Sequence, residues 1–283
     1  MGSQEAKWPL GIFVSVDRGL GIEVDLAHEL GVTTVHLHVP SRELRSPIAA
    51  NKLAKKMDNL RLQITVVFAG FDGEDYKNIS TVQRTIGLVP ESTRPDRMDE
   101  LKEIIDYTSC LNVGATGLHI GVIPKDSSDI TFGKVVESTS EVCEYAAQQG
   151  VNIHLETGQE SSDDLLNFLK AVNQSNLYVN FDPANMILYG SGEPIPALKM
   201  IGPYVRSVHI KDALWSAHPG ITWGLEVPLG EGALNIAEYL RTLDAIGYFG
   251  PLTIEREIPH DPVRQKAELS DAIKILDRFK QGT

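Results

Sequence analysis

Four short segments place acidic or imidazole side chains where an apolar run ends: His154-Leu155-Glu156, Asn180-Phe181-Asp182, His209-Ile210-Lys211 and Glu255-Arg256-Glu257. Such runs read as strands buried on both faces, and a charged side chain in one of them must face something that offsets its desolvation. Three carboxylates and one imidazole gathered at one point repel each other unless a cation sits among them. Glu156, Asp182, His209 and Glu255 are therefore expected to hold one divalent metal ion. An oxygen-rich set with a single nitrogen favours Mn2+, with Mg2+, Co2+ and Zn2+ compatible. Unrelated ion pairs at a polar rim would explain any one of the four, but explain poorly why all four stand at the same place in successive strands.

The elements that must carry these residues alternate between strand and helix. Strands are expected at Leu10–Val16, Thr33–Val39, Leu62–Ala69, Thr116–Ile123, Val151–Glu156, Leu177–Asp182, Val205–Lys211 and Leu252–Glu257. Between them lie helical patterns at Ile22–Leu30, Pro47–Leu60, a face of Met98, Leu101, Ile105 and Thr108, a face from Val135 to Ala146, Asp163–Val172 capped by Ser161 or Ser162, Ile195–Ile201 and Leu234–Ile246. A last helix starts at Pro262, with Ile273, Leu276 and Phe279 on its buried face. Alternation of this kind implies a parallel sheet. Eight repeats without a linker predict an α/β fold of one domain over residues 1–283, a closed (β/α)8 TIM barrel. An open dinucleotide-binding sheet would need a Gly-rich turn after the first strand, and Arg18-Gly-Leu-Gly-Ile-Glu has only part of it. In a barrel the C-terminal strand ends form the functional face, where the four candidates fall.

Side chains alternate along a strand, so the residue two before each candidate shares its face. Those residues are His154, Asn180, Ser207 and Thr253, all polar, and they are expected to form a layer that orients the ligands. His119 and His38, near the ends of strands four and two, could face the same cavity, with a structural role the plainer reading. Lys211 shares the face of His209 and could meet a substrate oxygen or pair with Glu257. Arg256 should point outward into a salt bridge, and Glu226 is expected in a loop, where it could be solvated or a minor candidate for the site. Loops from about Gly70 to Arg97 and from Leu214 to Glu231 are long enough to act as lids. The second contains Trp215, His218 and Trp223, whose rings suit a sugar face or plain packing.

The formal net charge of −12 argues against nucleic acid as a partner. No apolar run is long enough to span a membrane, and Met1–Ala6 lacks the apolar core of a secretion signal, so a cytoplasmic location is expected. Cys110 and Cys143 match no zinc spacing and are expected as reduced, partly buried thiols. Gly230-Glu231-Gly232 precedes a helix, where a phosphate could bind, but Glu231 brings a negative charge there and favours a non-phosphorylated substrate.

The segments HLETG, VNFDPANMILYG, VHIKDA, VPLGEG and LTIERE resemble the xylose isomerase-like barrel superfamily, most of all its sugar and sugar-phosphate isomerase/epimerase group. The likeness is strongest from Val151 to Ile258. It implies that Glu156, Asp182, His209 and Glu255 bind the metal. It also implies proton transfer next to a carbonyl through an enediolate, with Glu156 and Glu255 as the acid/base pair on a small sugar or polyol. His119, Asn185, Lys211 and Trp215 are the candidates for touching substrate. Where ketose 3-epimerases and AP endonucleases carry a His three residues after the strand-six Asp, this chain has Asn185. That departure weakens a phosphodiesterase acting on abasic DNA. An inosose dehydratase-type lyase and a non-catalytic sugar-binding barrel remain as alternatives, and a homo-oligomer stays open.

Overall fold

The structure, a computed structural model, describes residues 7–17, 21–257 and 261–280. Residues 1–6, 18–20, 258–260 and 281–283, which include Arg18-Gly-Leu and Ile258, lie outside the described residues. Parallel strands β1 (Leu10–Ser15), β2 (Thr34–His38), β3 (Gln63–Phe68), β4 (Ala115–Leu118), β5 (Asn152–Glu156), β6 (Leu177–Phe181), β7 (Val205–Ile210) and β8 (Leu252–Ile254) pair in sequence order. The sheet closes on itself because β8 pairs with β1 as well as β7, with Leu10 opposite Leu252 and Thr253 opposite His209. The single-domain (β/α)8 barrel is thereby established.

Helices α1 (Val24–Glu29), α2 (Pro47–Leu60), α3 (Ile79–Thr85), α4 (Arg94–Cys110), α5 (Ile130–Gln148), α6 (Ser162–Val172), α7 (Pro183–Tyr189), α8 (Pro194–Ile201), α9 (Ile236–Ala245) and α10 (Pro262–Lys280) follow the strands. Local chemistry sets their ends. Ser46 accepts a hydrogen bond from the Ala49 N–H to open α2, where Pro47 needs no partner for a missing N–H. Ser161, of the two expected caps, opens α6 by accepting from the Asp164 N–H, with Asp163 and Asp164 in the first turn favoured by the helix dipole. Most of the core lies between the barrel and these helices. A second apolar cluster, Phe13, Val66, Phe68 and Ala115, comes from β1, β3 and β4. Close strand approach demands glycine at Gly11, where a Cβ would stand 2.6 Å from Thr34 Oγ1.

Several expectations need correction. The strands are shorter than read from sequence: β4 ends at Leu118 and β8 at Ile254. The loops between elements carry α3, α7 and an antiparallel hairpin pairing Asp212–Leu214 with Leu225–Val227. On α10 Leu276 is buried as expected, together with Leu269 and Ala272, and Ile273 packs partly buried against the core, but Phe279, in the last turn, is exposed. Cys143 is buried as expected, but Cys110 is exposed at the last turn of α4.

Candidate metal centre

Each ligand candidate is delivered by the end of its strand. Glu156 is the last residue of β5, and His209 the next to last of β7. Asp182 and Glu255 follow β6 and β8 directly. All four side chains are buried, and one ligand atom from each lies within 4.8 Å of the others. His209 Nδ1 is the centre of this group. It stands 2.5 Å from Glu156 Oε1, 3.2 Å from Glu255 Oε2 and 3.9 Å from Asp182 Oδ2.

The donor set fits a divalent ion on a further count. Asp182 caps α7, its Oδ1 accepting from the N–H groups of Ala184 and Asn185 at 2.8 and 3.0 Å. Thr157 fixes the Asp182 backbone, accepting from its N–H and donating to its carbonyl. The remaining oxygen, Oδ2, is fully buried and has no hydrogen-bond partner. An unsatisfied buried carboxylate oxygen is costly, and a cation among these four residues would satisfy it.

The charges lean on one another. Burial raises the Asp182 carboxyl to about 7, opposed by Lys211 and reinforced by Glu255 and Glu156. Burial works against the His209 imidazolium, but Glu255 and Glu156 outweigh it and raise the group to about 10. For Glu255, burial is overcome by Lys211 and His209, which bring the carboxyl down to about 2. Glu156 shifts downward too: burial is overcome by His119 and His209.

Each glutamate has a basic side chain of its own. His119 Nε2 lies 2.9 Å from Glu156 Oε2, and Lys211 Nζ donates to Glu255 Oε2 at 3.3 Å. Lys211 also pairs with Glu257 and stands 3.7 Å from Glu226. Arg256 pairs with Glu226 and Glu268. Glu226 is thus not a solvated loop residue: it sits in the hairpin and is mostly buried, held by Arg256 and the Glu257 N–H. The sequence reading missed Gln159 and Tyr189. Gln159 Nε2 lies 3.0 Å from His119 Nδ1 and 3.1 Å from the Tyr189 hydroxyl, and Trp223 packs edge-on against Tyr189 at 4.4 Å. Trp223, the α3 residues Ile79 and Val82, and Ile86 just beyond α3 share one apolar cluster with Tyr189, so the two long loops meet beside the site.

The expected layer beneath the ligands is only partly engaged with them. Asn180 Nδ2 donates to Glu156 Oε1 at a long 3.4 Å. His154 and Ser207 bond to each other at 2.8 Å, and Thr253 Oγ1 has no hydrogen-bond partner. The residue that reaches a ligand closely is His36, which sequence reasoning passed over in favour of His38: its Nδ1 is 3.0 Å from His209 Nε2. His38 turns instead to the Val39 carbonyl. Asn185 is buried in the first turn of α7, and Trp215 is a partly buried ring against the main core. The anion nest before α9 is already filled: the N–H groups of Gly230 and Gly232 donate to Asp212 Oδ2 at 3.0 and 2.9 Å. Gly232 is required there, since a Cβ would lie 2.0 Å from Asp212 Oδ1.

Residues 24–278 match the model of the xylose isomerase-like TIM barrel family. The chain belongs to that family. A crystal structure of a xylose isomerase domain protein from Planctomyces limnophilus is 50% identical, with a TM-score of 0.96 and 98% of each chain covered. Fructoselysine 3-epimerase of Shigella flexneri is 29% identical over 179 residues, 59% of this chain and 61% of the epimerase. L-ribulose 3-epimerase of a Methylomonas species is 27% identical over 143 residues, 48% of this chain and 46% of that protein. The chain thus spans less than two thirds of the length of these curated relatives. Among the described residues, no helix is long and apolar enough to cross a membrane.

Proposed function

We propose that this xylose isomerase-like barrel is a divalent-metal-dependent epimerase or isomerase of a small, non-phosphorylated ketose or related polyol. The observation that carries the reading is the pairing of each buried glutamate with its own base, Glu156 with His119 and Glu255 with Lys211, around a shared ligand group. Glu156, Asp182, His209 and Glu255 would hold the ion. Such an ion supplies positive charge opposite the substrate oxygen that becomes anionic when the neighbouring carbon loses its proton. Glu156 and Glu255 stand on strands separated by two others, so a substrate carbon between them has a carboxylate on either side. One takes the proton from one face, and the other returns a proton to the opposite face. His119 and Lys211 keep the two carboxylates ionised and oriented.

Two features favour a substrate without phosphate. Asp212 occupies the backbone nest that would receive one. The cations nearest the ligands, Lys211 and Arg256, are committed to carboxylates. The test is to incubate the Mn2+-loaded protein with a panel of ketoses, inososes and sugar phosphates in D2O and follow exchange by NMR. Deuterium should enter a carbon next to the carbonyl of a neutral ketose. Turnover confined to sugar phosphates, or loss of water from an inosose without exchange into a ketose, would refute the proposal.

A further inference from the structure

His209 is enclosed on three sides by residues from the opposite half of the barrel. Its ring meets Phe13 of β1 edge-on at 5.4 Å, tilts over Phe68 of β3 at 4.8 Å and faces His36 of β2 at 5.1 Å. His36 and His209 are both fully buried. The two nitrogens of His209 therefore see different worlds. Nδ1 looks into the carboxylates of Glu156 and Glu255, and Nε2 lies 3.0 Å from His36 Nδ1. The pairing of β2 with β3 is irregular beside His36: Val35 pairs with Ile64 but His36 with Val66, so β3 carries one extra residue, Thr65, at this point. Irregularities of this kind re-aim a side chain near functional sites.

We propose that His36 is a positioning residue that accepts a hydrogen bond from His209 Nε2–H and so fixes Nδ1 as the only nitrogen able to ligate a cation. The inference rests on the metal reading above but uses no residue of the ligand set to do the positioning. An imidazole has two tautomers, and a ligand histidine is held in one by whatever its other nitrogen meets, usually a carboxylate, carbonyl or water. Here the partner is a second imidazole. For His36 to accept at Nδ1, its own proton must sit on Nε2, and that atom is buried with no hydrogen-bond partner. The fold thus leaves one nitrogen of His36 unsatisfied while the other faces His209. Phe13 and Phe68 block ring rotation, so geometry and tautomer are set together. Without His36, the Nε2 side would face only apolar rings, and the proton would be free to settle on Nδ1, the wrong nitrogen for a ligand.

The role has a direct spectroscopic signature. In 15N-histidine-labelled protein, His209 Nε2 should carry a slowly exchanging proton and show a 15N–15N coupling through the hydrogen bond to His36 Nδ1, with or without Zn2+. Zn2+ titration then reads the consequence. His36→Leu removes the acceptor and should weaken Zn2+ binding about 10–100-fold, the usual effect of removing such a partner. His36→Asn places an amide oxygen near the Nδ1 position and should recover most of that loss. Should the Leu variant fail to fold, His36→Gln replaces it: its acceptor lies one bond further out, and it should lose affinity where Asn keeps it. Wild-type affinity in folded His36→Leu or His36→Gln, or a zinc-loaded protein whose His209 Nε2 is unprotonated, would overturn the proposal. If wild-type protein bound no divalent ion, the metal reading would fall, and the coupling measured without metal would still decide what His36 does.

Discussion

The two halves of the barrel treat the same cavity in opposite ways. Strands β5 to β8 end in charge, and Glu156, Asp182, His209 and Glu255 converge at or just beyond their C-terminal ends. Strands β1 to β3 contribute Phe13, His36 and Phe68, which carry no charge into the centre and instead wall in the ring of His209. Burial, followed by the neighbouring His209 and His154, pushes the His36 imidazole well below its usual range, so it stays neutral beside a charged neighbour. One half gathers buried ionisable groups at a cost in desolvation, and the other packs aromatic rings around them. Function and stability should therefore respond to different halves.

The largest effect belongs to the charged half. Glu156→Gln and Glu255→Gln each keep an oxygen that can coordinate an ion but lose the basic carboxylate. Both should retain much of their metal while solvent-deuterium exchange into substrate falls by about 10²–10⁴-fold. Asp182→Asn should fail mainly through weaker metal binding and recover in part with excess Mn2+. Equal rescue of all three variants by metal would show that the glutamates were given the wrong task.

Stability sharpens the contrast. Phe68 is buried against Phe13, His36 and His209, and Phe68→Ala should cost about 3–5 kcal/mol by urea denaturation of the metal-free protein. Asp182→Asn keeps the Oδ1 cap on α7 and removes a buried charge. It should leave the metal-free protein unchanged or more stable by about 1–2 kcal/mol. A large loss from Asp182→Asn in the absence of metal would break the division between the halves.

Protonation gives a smaller, graded effect. Asp182 titrates at about 7 and His209 at about 10, both raised, while Glu255 is already ionised at neutral pH. A cation must displace the protons on Asp182 and His209, so affinity should rise with pH. Below the Asp182 value of about 7, binding should release about two protons per ion, and above it about one. Calorimetry of Mn2+ binding in buffers of different ionisation enthalpy reads this number. Release of only one proton per ion below pH 7 would argue against Asp182 as a ligand, and affinity independent of pH between 6 and 8 would argue against His209 as well.

Much of the charged half was legible in the sequence, because a carboxylate at the end of a β-branched, apolar run has few innocent explanations. The supporting half was harder to read. Phe13 and Phe68 look like any core residue. His36 and His38 lie two residues apart on one face of β2, and only their contacts in the folded barrel separate them: His36 meets His209, and His38 meets the Val39 carbonyl. Helices α3 and α7 are seven residues each, too short to reveal a period, and α7 begins at the very Asp182 that looked like the end of a strand. Glu226 was misjudged because its partners, Arg256 and Lys211, are distant in sequence and meet it only through the hairpin.

The central claim is that four strand ends on one side of the barrel hold a single ion. Native mass spectrometry after Mn2+ loading and desalting tests it most directly. Wild-type protein should carry one ion per chain, and the Asp182→Ala and His209→Ala variants, checked for folding by circular dichroism, should carry none. One ion retained by both folded variants, or none bound by the wild type, would contradict it.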